Sequence, residues 1–238
     1  LHTAYRRQRQ MCIRDRGRAM HEFVEQLAKD ERLRSLSFQN VKVVPFLGTP
    51  GAIQSDSWNT TTYSNTLATK VGNLLHCASY NLSAPMYVEG TKEKELIESI
   101  DEIAKVLHMA ETADIALIGI GSMQDDSSII KAEIRTKEEY KELVRKGAVG
   151  EIVGRIYDKN GQTVDEDLKR KMVGISLDKI AKIPVRVGMS YGKDKIEAIK
   201  GAIAGGLVNV LVTDVPTAEL LLKSVSYTHL TLPTICSV

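Results

Sequence analysis

Cysteines and long apolar runs are both scarce in this chain of 238 residues, which has three cysteines and is 43% hydrophobic and 5% aromatic. So few cysteines exclude a disulfide scaffold, and the mixed composition excludes collagen and low-complexity disorder. No window contains eighteen consecutive apolar residues, and the first twenty residues lack an uninterrupted apolar segment. The sequence therefore shows neither a membrane span nor a signal peptide, and we expect a cytoplasmic globular protein with no membrane partner.

The two ends of the chain are related to each other at the level of their codons. Residues 6–15 can be written CGT CGG CAG CGT CAG ATG TGT ATA AGA GAC, and the reverse complement of these ten codons translates into residues 225–234. Such an inverted repeat resembles the transposase adapters that tag sequencing libraries. We therefore expect residues 1–16 and 225–238 to be non-native scars, and residues 17–224 to form one domain.

An excess of positive charge is also lacking once these ends are set aside. Without five arginines and Asp15, the 32 basic and 30 acidic residues of the whole chain become 27 and 29. A near-neutral domain has no basic stripe for a phosphate backbone, so we expect no direct nucleic-acid binding by this domain. The remaining cysteine, Cys77, lies in an apolar stretch and is expected to be a small buried side chain. His21, His76 and His108 are not spaced as zinc ligands, so no metal site is predicted.

Apolar residues follow helical and strand periodicities in turn. Stripes at i, i+3, i+4 and i+7 and a capping pattern predict helices at 20–27, 63–74, 96–107, 137–146 and 195–204. Short apolar runs predict strands at 41–47, 76–82, 114–120, 151–157, 184–187 and 207–212. The run at 114–120 is apolar on both faces, as is typical of a central parallel strand. This alternation predicts a three-layer α/β domain with a doubly wound parallel sheet.

Ligands of such sheets bind at the carboxyl ends of the strands, where glycine-bearing loops occur in this chain. Two nucleotide motifs are incomplete there. The third glycine of a dinucleotide fingerprint is replaced by Gln124, and the segment around Gly192 lacks the other residues of a P-loop. No cofactor is therefore predicted.

Lys195 is the more informative residue of these loops because it opens a predicted helix. The helix dipole favours an anion at this end, and a cation in the first turn is favourable only beside a negative group. This position suggests a phosphate. The alternative, which the spacing alone leaves open, is that Lys193 and Lys195 are solvated surface lysines.

Several blocks together resemble the effector-binding domain of SorC/DeoR-type bacterial sugar-responsive transcriptional regulators. The most specific are GAVGEIVGRIYDKNG at 147–161 and GGLVNVLVTD at 205–214. They are accompanied by shorter matches at 119–122, 127–128, 174–177 and 195–199. In this order the matches cover nearly all of residues 17–223.

The resemblance implies a phosphosugar-isomerase-like fold, of the type shared with CoA transferases, that binds a phosphorylated sugar without turnover. It implies a homo-oligomer that contacts operator DNA only through an N-terminal helix-turn-helix domain. We expect this chain to be a fragment that lacks the residues of that domain. The ligand contacts that it implies lie at Gly48, Thr49, Pro50, Gly51, Asn65, Gly121 and Ser122, with Lys195 as the phosphate-binding lysine.

The chain departs from the family pattern at two of the expected ligand positions. The family has a pair of glycines before the lysine, where this chain has Tyr191 and Gly192, and it has aspartate where this chain has Glu151. The alternative function is a phosphosugar isomerase, which needs a carboxylate to move a proton between substrate carbons. Carboxylates at strand ends are available for that role or for capping helices and turns: Asp56, Asp125, Asp126 and Asp214. Because it follows the last predicted strand, Asp214 is also expected to contact the ligand, as are Glu151 and Gly192.

Overall fold

The structure is a computed structural model that describes residues 9–14, 18–36, 38–50, 63–124, 127–131, 133–224 and 234–237. Its strands are β1 Arg9–Arg14, β2 Val41–Pro45, β3 Ala78–Ser79, β4 Ile115–Gly119, β5 Gly121–Ser122, β6 Ala148–Ile152, β7 Arg155–Asp158, β8 Val185–Met189, β9 Val210–Thr213 and β10 Thr234–Ser237. Its helices are α1 Arg18–Lys29, α2 Ser64–Leu74, α3 Thr91–Glu98, α4 Asp101–Glu111, α5 Ser128–Lys131, α6 Lys137–Arg145, α7 Glu166–Lys171, α8 Leu177–Ile180, α9 Ile196–Ala204 and α10 Val215–Ser224. Single-turn 3-10 helices cover Glu31–Ser35 and Lys193–Lys195.

Within the described residues, seven strands form a parallel sheet in the order β10-β9-β8-β4-β1-β2-β3. The apolar strand β4 lies in the middle of this order, between β8 and β1. Burial on both faces requires apolar side chains on both, which is the pattern that predicted a central strand here. The expectation of an α/β fold with a parallel sheet is confirmed.

Two hydrophobic clusters lie on opposite faces of this sheet. Val43 of β2 packs with buried residues of α1 and α2, whereas its neighbour Val44 packs in the larger cluster, which includes α4 and α9. Adjacent strand residues point to opposite faces, so the alternation divides one apolar strand between two helical layers. The described elements thus form three layers, helix on sheet on helix.

The strand predicted over residues 151–157 is instead part of an antiparallel hairpin. Strands β6 and β7 pair across a turn at Val153 and Gly154, which have φ angles of 56° and 60°, and β5 pairs with β6 to make a three-stranded sheet. Two consecutive residues with positive φ form the tight turn that suits a right-twisted hairpin. The prediction missed it because Val153 is a β-branched residue in an apolar run.

The predicted long helix over residues 96–107 is wrong in its continuity. Helix α3 ends before Ser99, whose hydroxyl donates to the carbonyl of Leu96, and Ile100 is extended before α4 begins. The acidic residues Asp101 and Glu102 then occupy the first turn of α4, where the helix dipole favours negative charge. Local capping therefore divides an apolar stripe that continues through both helices.

The terminal segments also pair in the sheet where they are described. Strand β1 lies between β2 and β4, and β10 pairs with β9 at one edge. Both segments were expected to be non-native, so neither strand was predicted. Their place in the sheet does not test the expectation that their sequence is non-native, which stays a prediction.

Candidate functional site

The carboxyl ends of the central strands are held together by one buried serine. The Ser190 hydroxyl donates to the carbonyl of Ile120 at 3.0 Å, and its backbone N–H donates to the carbonyl of Val212 at 3.2 Å. The segments that follow β4 and β8 therefore meet the carboxyl end of β9 at one edge of the sheet. This is the edge at which doubly wound sheets bind their ligands.

Ser122, Asp194 and Lys195 form a polar cluster at this edge. Lys195 Nζ lies 2.8 Å from Ser122 Oγ, and Asp194 Oδ2 lies 3.3 Å from the same hydroxyl and 3.4 Å from Nζ. Ser122 is buried, whereas a quarter of the Lys195 side chain and about half of the Asp194 side chain are exposed. We call these three residues the anion cluster, because an ammonium group and a hydroxyl both contact one carboxylate that is about half exposed.

The position of Lys195 in the chain adds to the positive character of this cluster. It is the residue that precedes α9, a nine-residue helix whose amino terminus carries a partial positive charge. Unpaired N–H groups at such a helix end bind phosphate and carboxylate groups. Lys193, two residues earlier, is exposed, so the structure places only the predicted lysine in the anion cluster.

Gly192 shapes the loop that leads into the anion cluster. Its φ of 105° is strained for any residue with a side chain, and a Cβ here would lie 2.8 Å from Asp194 Oδ1. Its N–H donates to the hydroxyl of Thr217, at 2.8 Å. The glycine therefore leaves room for the Asp194 carboxylate and lets the loop dock on α10.

Asp214 caps helix α10 in this structure. Its Oδ1 accepts the backbone N–H of Thr217 at 3.1 Å, as an N-cap carboxylate does three residues before its donor. Thr217 in turn accepts from the Gly192 loop. The sequence left open whether Asp214 acts on a ligand or caps a helix, and its described contact is that of a helix cap.

Glu151 is buried on β6, directly opposite Gly121 of β5. Its Oε2 accepts hydrogen bonds from the hydroxyls of Ser127 at 2.7 Å and Tyr140 at 3.5 Å. These donors satisfy a carboxylate that would otherwise be costly to bury. Glu151 thus lies one strand away from the anion cluster, and its described contacts join β6 to α6 and the start of α5.

The loop after β2 forms a second group of the predicted residues. The N–H of Thr49 donates to the carbonyl of Ala84, and a Cβ on Gly48 would lie 2.5 Å from the carbonyl oxygens of Ala84 and Pro85. The Asn65 amide holds the backbone of Leu82 at both of its ends, at 3.0 and 3.1 Å. These contacts bind the loop and α2 to residues 82–86, and Pro50 ends the described part of the loop.

Four other residues that the sequence indicated as candidates lie outside the described part of the chain. They are the loop residue Gly51 and the candidate carboxylates Asp56, Asp125 and Asp126. The structure therefore brings together Gly121, Ser122, Gly192 and Lys195, and forms a separate group from Gly48, Thr49 and Asn65.

Three residues that the sequence analysis gave no role belong to this edge. Asp194 completes the anion cluster, Thr217 holds Gly192, and Tyr191 donates its hydroxyl to the Glu22 carboxylate at 3.1 Å. Asp214 lies three residues before Thr217, as an N-cap residue lies before its backbone donor. This spacing was the available signal that Thr217 belongs to the first turn of a helix. The Tyr191 contact joins residues far apart in sequence, so no local pattern could indicate it.

The described residues contain no cluster of histidine, cysteine or carboxylate side chains that could hold a metal ion. Cys77 is a half-buried free thiol beside the α1–α2 cluster, and burial raises its pKa. It is less buried than expected, because it follows the end of α2 rather than lying in a strand. Among the described helices, none is long and apolar enough to cross a membrane.

The described elements form an α/β domain with a polar cluster of Ser122, Asp194 and Lys195 at the carboxyl edge of its parallel sheet. The family described as "Putative sugar-binding domain" matches residues 15–223. The chain belongs to this family, which confirms the resemblance seen in the sequence.

Named relatives are transcriptional regulators. The chain is 35% identical over 160 residues to the transcriptional regulator LsrR of Escherichia coli O9:H4, an alignment that covers 66% of this chain and 50% of that protein. The chain thus spans about half the length of the curated relatives it matches.

Solved structures of regulators share the fold. The full-length sorbitol operon regulator SorC from Klebsiella pneumoniae matches with a TM-score of 0.78 and 28% identity, covering 91% of this chain and 66% of that one. A DeoR family transcriptional regulator from Listeria monocytogenes matches with a TM-score of 0.75 over 91% of this chain and 80% of that one. At 23% identity it supports the fold alone.

Proposed function

We propose that this domain is the effector sensor of a sugar-responsive transcriptional regulator and that it binds a phosphorylated sugar. The observation that carries the proposal is the contact of Lys195 Nζ with Ser122 Oγ at the amino terminus of α9. An ammonium group, a hydroxyl and a helix amino terminus are the groups that bind phosphate in proteins.

The rest of the ligand would lie between the anion cluster and the loop after β2. In this proposal Gly121 and Gly192 allow the backbone to approach the phosphate, and Gly48, Thr49 and Pro50 lie beside the sugar. Gly51, outside the described residues, stays an expected ligand contact. The described hydrogen bonds of Asn65 and Glu151 are with protein groups, so we propose that both act chiefly by fixing the loops around them. The phosphosugar-isomerase-like assignment of the fold is part of the same proposal.

Two lysine variants test the position of the phosphate. Lys195→Ala removes a charge-assisted hydrogen bond of about 1.5–3 kcal/mol, so it should weaken a phosphorylated sugar by tenfold or more and its unphosphorylated form far less. Lys193→Ala, the exposed control, should do much less. A thermal-shift panel of paired phosphorylated and free sugars measures both. Equal losses for the two forms would contradict a phosphate at Lys195.

The regulator is favoured over an isomerase by the names of the relatives. Of the four candidate carboxylates, Asp214 is the one within the described residues, and there it caps α10. The buried Glu151 accepts hydrogen bonds from two hydroxyls. We propose that the bound sugar phosphate is not turned over. Following the best ligand of the panel by NMR tests this, and more than one isomerised or dephosphorylated molecule per site would favour the enzyme.

We propose that sensing acts on DNA through a helix-turn-helix domain outside this chain, in a cytoplasmic homo-oligomer. Such regulators recognise paired half-sites, and the symmetry of the protein matches that of the operator. A ligand that prefers one quaternary arrangement needs a coupling free energy of only about 1–3 kcal/mol to change operator occupancy. Sedimentation with and without ligand tests self-association, and a monomer at tens of micromolar would contradict it.

A further inference from the structure

We propose that Asp194 is a specificity-determining residue of the anion cluster, whose carboxylate competes with the ligand for Lys195 and Ser122. This inference rests on the proposed function, since it concerns the same anion position. Asp194 Oδ2 lies 3.4 Å from the Lys195 ammonium and 3.3 Å from the Ser122 hydroxyl. The carboxylate thus contacts the two groups that a phosphate would use.

The hydroxyl of Ser122 makes this competition exclusive. Lys195 has three N–H donors and can contact two anions, but a serine hydroxyl has one proton and donates to one acceptor at a time. The Lys195 ammonium already donates to Ser122 Oγ at 2.8 Å, so the serine proton is directed to the remaining partner. That partner is either Asp194 or the ligand, and two anions held side by side would also repel each other.

The Asp194 side chain can rotate into solvent when an anion binds. About half of its side chain is exposed, whereas Ser122 is buried and fixed in β5 by pairing with Gly150. The carboxylate lies over Gly192, where a Cβ would approach Oδ1 to 2.8 Å. The inward position of Asp194 therefore depends on a glycine beside it, and rotation of the side chain leads to solvent.

The consequence is selection for ligands with a strongly charged phosphate. A neutral sugar hydroxyl cannot displace the carboxylate from an ammonium group, because charge-assisted hydrogen bonds are about twice as strong as neutral ones. A phosphate can, since it brings up to two negative charges and three acceptor oxygens. Asp194 lowers the affinity for all anions and so makes additional contacts to the sugar necessary for tight binding.

Inorganic phosphate is the probe for this inference, titrated into the full chain by calorimetry or NMR. Asp194→Asn and Asp194→Ala should bind phosphate about two- to fivefold more tightly than the wild type, the gain of removing one partly exposed competing ion pair. Glu197→Gln is the matched control, since it removes the same charge three residues away, where the carboxylate pairs with Lys200. The control should change the affinity by less than about twofold.

A double variant separates competition from a general effect on stability or charge. In a Lys195→Met background, Asp194→Asn should tighten phosphate binding much less than it does beside Lys195, because the contested ammonium is gone and only the Ser122 hydroxyl remains in contact with Asp194. Unchanged or weaker binding in both Asp194 variants, with Lys195→Met still impaired, would overturn this inference and leave the proposed function standing. A Lys195→Met chain that binds phosphate normally would instead overturn the proposed function.

Discussion

The hydroxyl of Thr217 accepts a hydrogen bond from the backbone N–H of Gly192 at 2.8 Å, which fastens the loop before Lys195 to helix α10. Thr217 is fully buried, and its backbone N–H donates to the carboxylate of Asp214, which fixes its position. The anion cluster is therefore positioned from two directions, by β5 at Ser122 and by α10 at Gly192.

Thr217→Val should weaken binding of a phosphorylated sugar and destabilise the fold, whereas Thr217→Ser should retain both properties. Valine has nearly the same shape but leaves a loop N–H without its acceptor, which costs about 1–3 kcal/mol. Thr213→Val is the control, because the buried Thr213 hydroxyl has no hydrogen-bond partner among the described residues. Denaturant unfolding and ligand titration measure the two effects. Equal losses in the two valine variants would show that threonine packing, not the Gly192 contact, matters.

Gly150→Ala should destabilise the domain because no space is left beside this residue of β6. A Cβ here would overlap the hydroxyl of Tyr157 and lie 2.8 Å from the Cβ of Ala198, while Tyr157 donates to the Ala198 carbonyl at 2.9 Å. Overpacking of this kind costs about 1–3 kcal/mol. Gly90→Ala, where the nearest atom would lie at 3.8 Å, should cost less than about 1 kcal/mol, the difference between glycine and alanine at the N-cap of α3. Urea unfolding of the two variants compares them, and an unaffected Gly150→Ala chain would contradict the packing described here.

The capping box of α6 predicts a pH-dependent stability. The N–H and hydroxyl of Thr136 donate to Glu139 at 2.8 and 3.0 Å and lower the pKa of its carboxyl below the ordinary 4.5. A lowered pKa contributes stability that is complete above 4.5 and is lost as the pH falls through the folded-state value.

Glu139→Gln should therefore cost about 0.5 kcal/mol at pH 7, and the difference from the wild type should shrink below pH of about 4.5. Glu138 lies in the same turn without a described cap contact, so Glu138→Gln should change the free energy of unfolding by less. Chemical unfolding at pH 7 and near pH 3.5 gives both differences. A difference that is the same at both pH values would contradict this account of the pKa.

Local signals were sufficient for most elements of the fold. Thr136, Glu139 and Gly147 mark the ends of α6 in the sequence, and the structure has both the capping box and a φ of 96° at Gly147. The apolar run around Ile118 likewise predicted the central strand. Such features depend on contacts within a few residues, so periodicity and cap chemistry reveal them.

The parts that sequence could not predict depend on contacts between distant residues. Positive φ at Val153 allows a hairpin where an apolar run indicated one strand. Positive φ at His76 helps shorten the strand predicted at 76–82 to Ala78–Ser79. At the site, Lys195 was predicted, but its approach to Ser122 spans 73 residues of chain. Asp194 was given no role in the sequence, because its carboxylate acquires one only when β5 lies beside it.

The terminal strands provide the last prediction, since they differ in how many neighbours they have in the sheet. Deleting residues 225–238 removes β10, an edge strand that pairs with β9 alone. Deleting residues 1–16 removes β1, which pairs with both β2 and β4 and holds the sheet together. The first truncation should change the melting temperature by a few degrees at most, about 1 kcal/mol for a domain of this size, and the second should lower it much further.

A scrambled β1 tests the proposal that residues 1–16 are non-native. An adapter-derived segment can occupy a sheet position by backbone pairing and an apolar run, without side chains selected for it. A scrambled order of the apolar residues in β1 should then stabilise the full chain as well as the present order does. Loss of stability on scrambling, measured by thermal unfolding, would show that specific side chains of this strand pack in the core and would contradict the non-native assignment for residues 1–16.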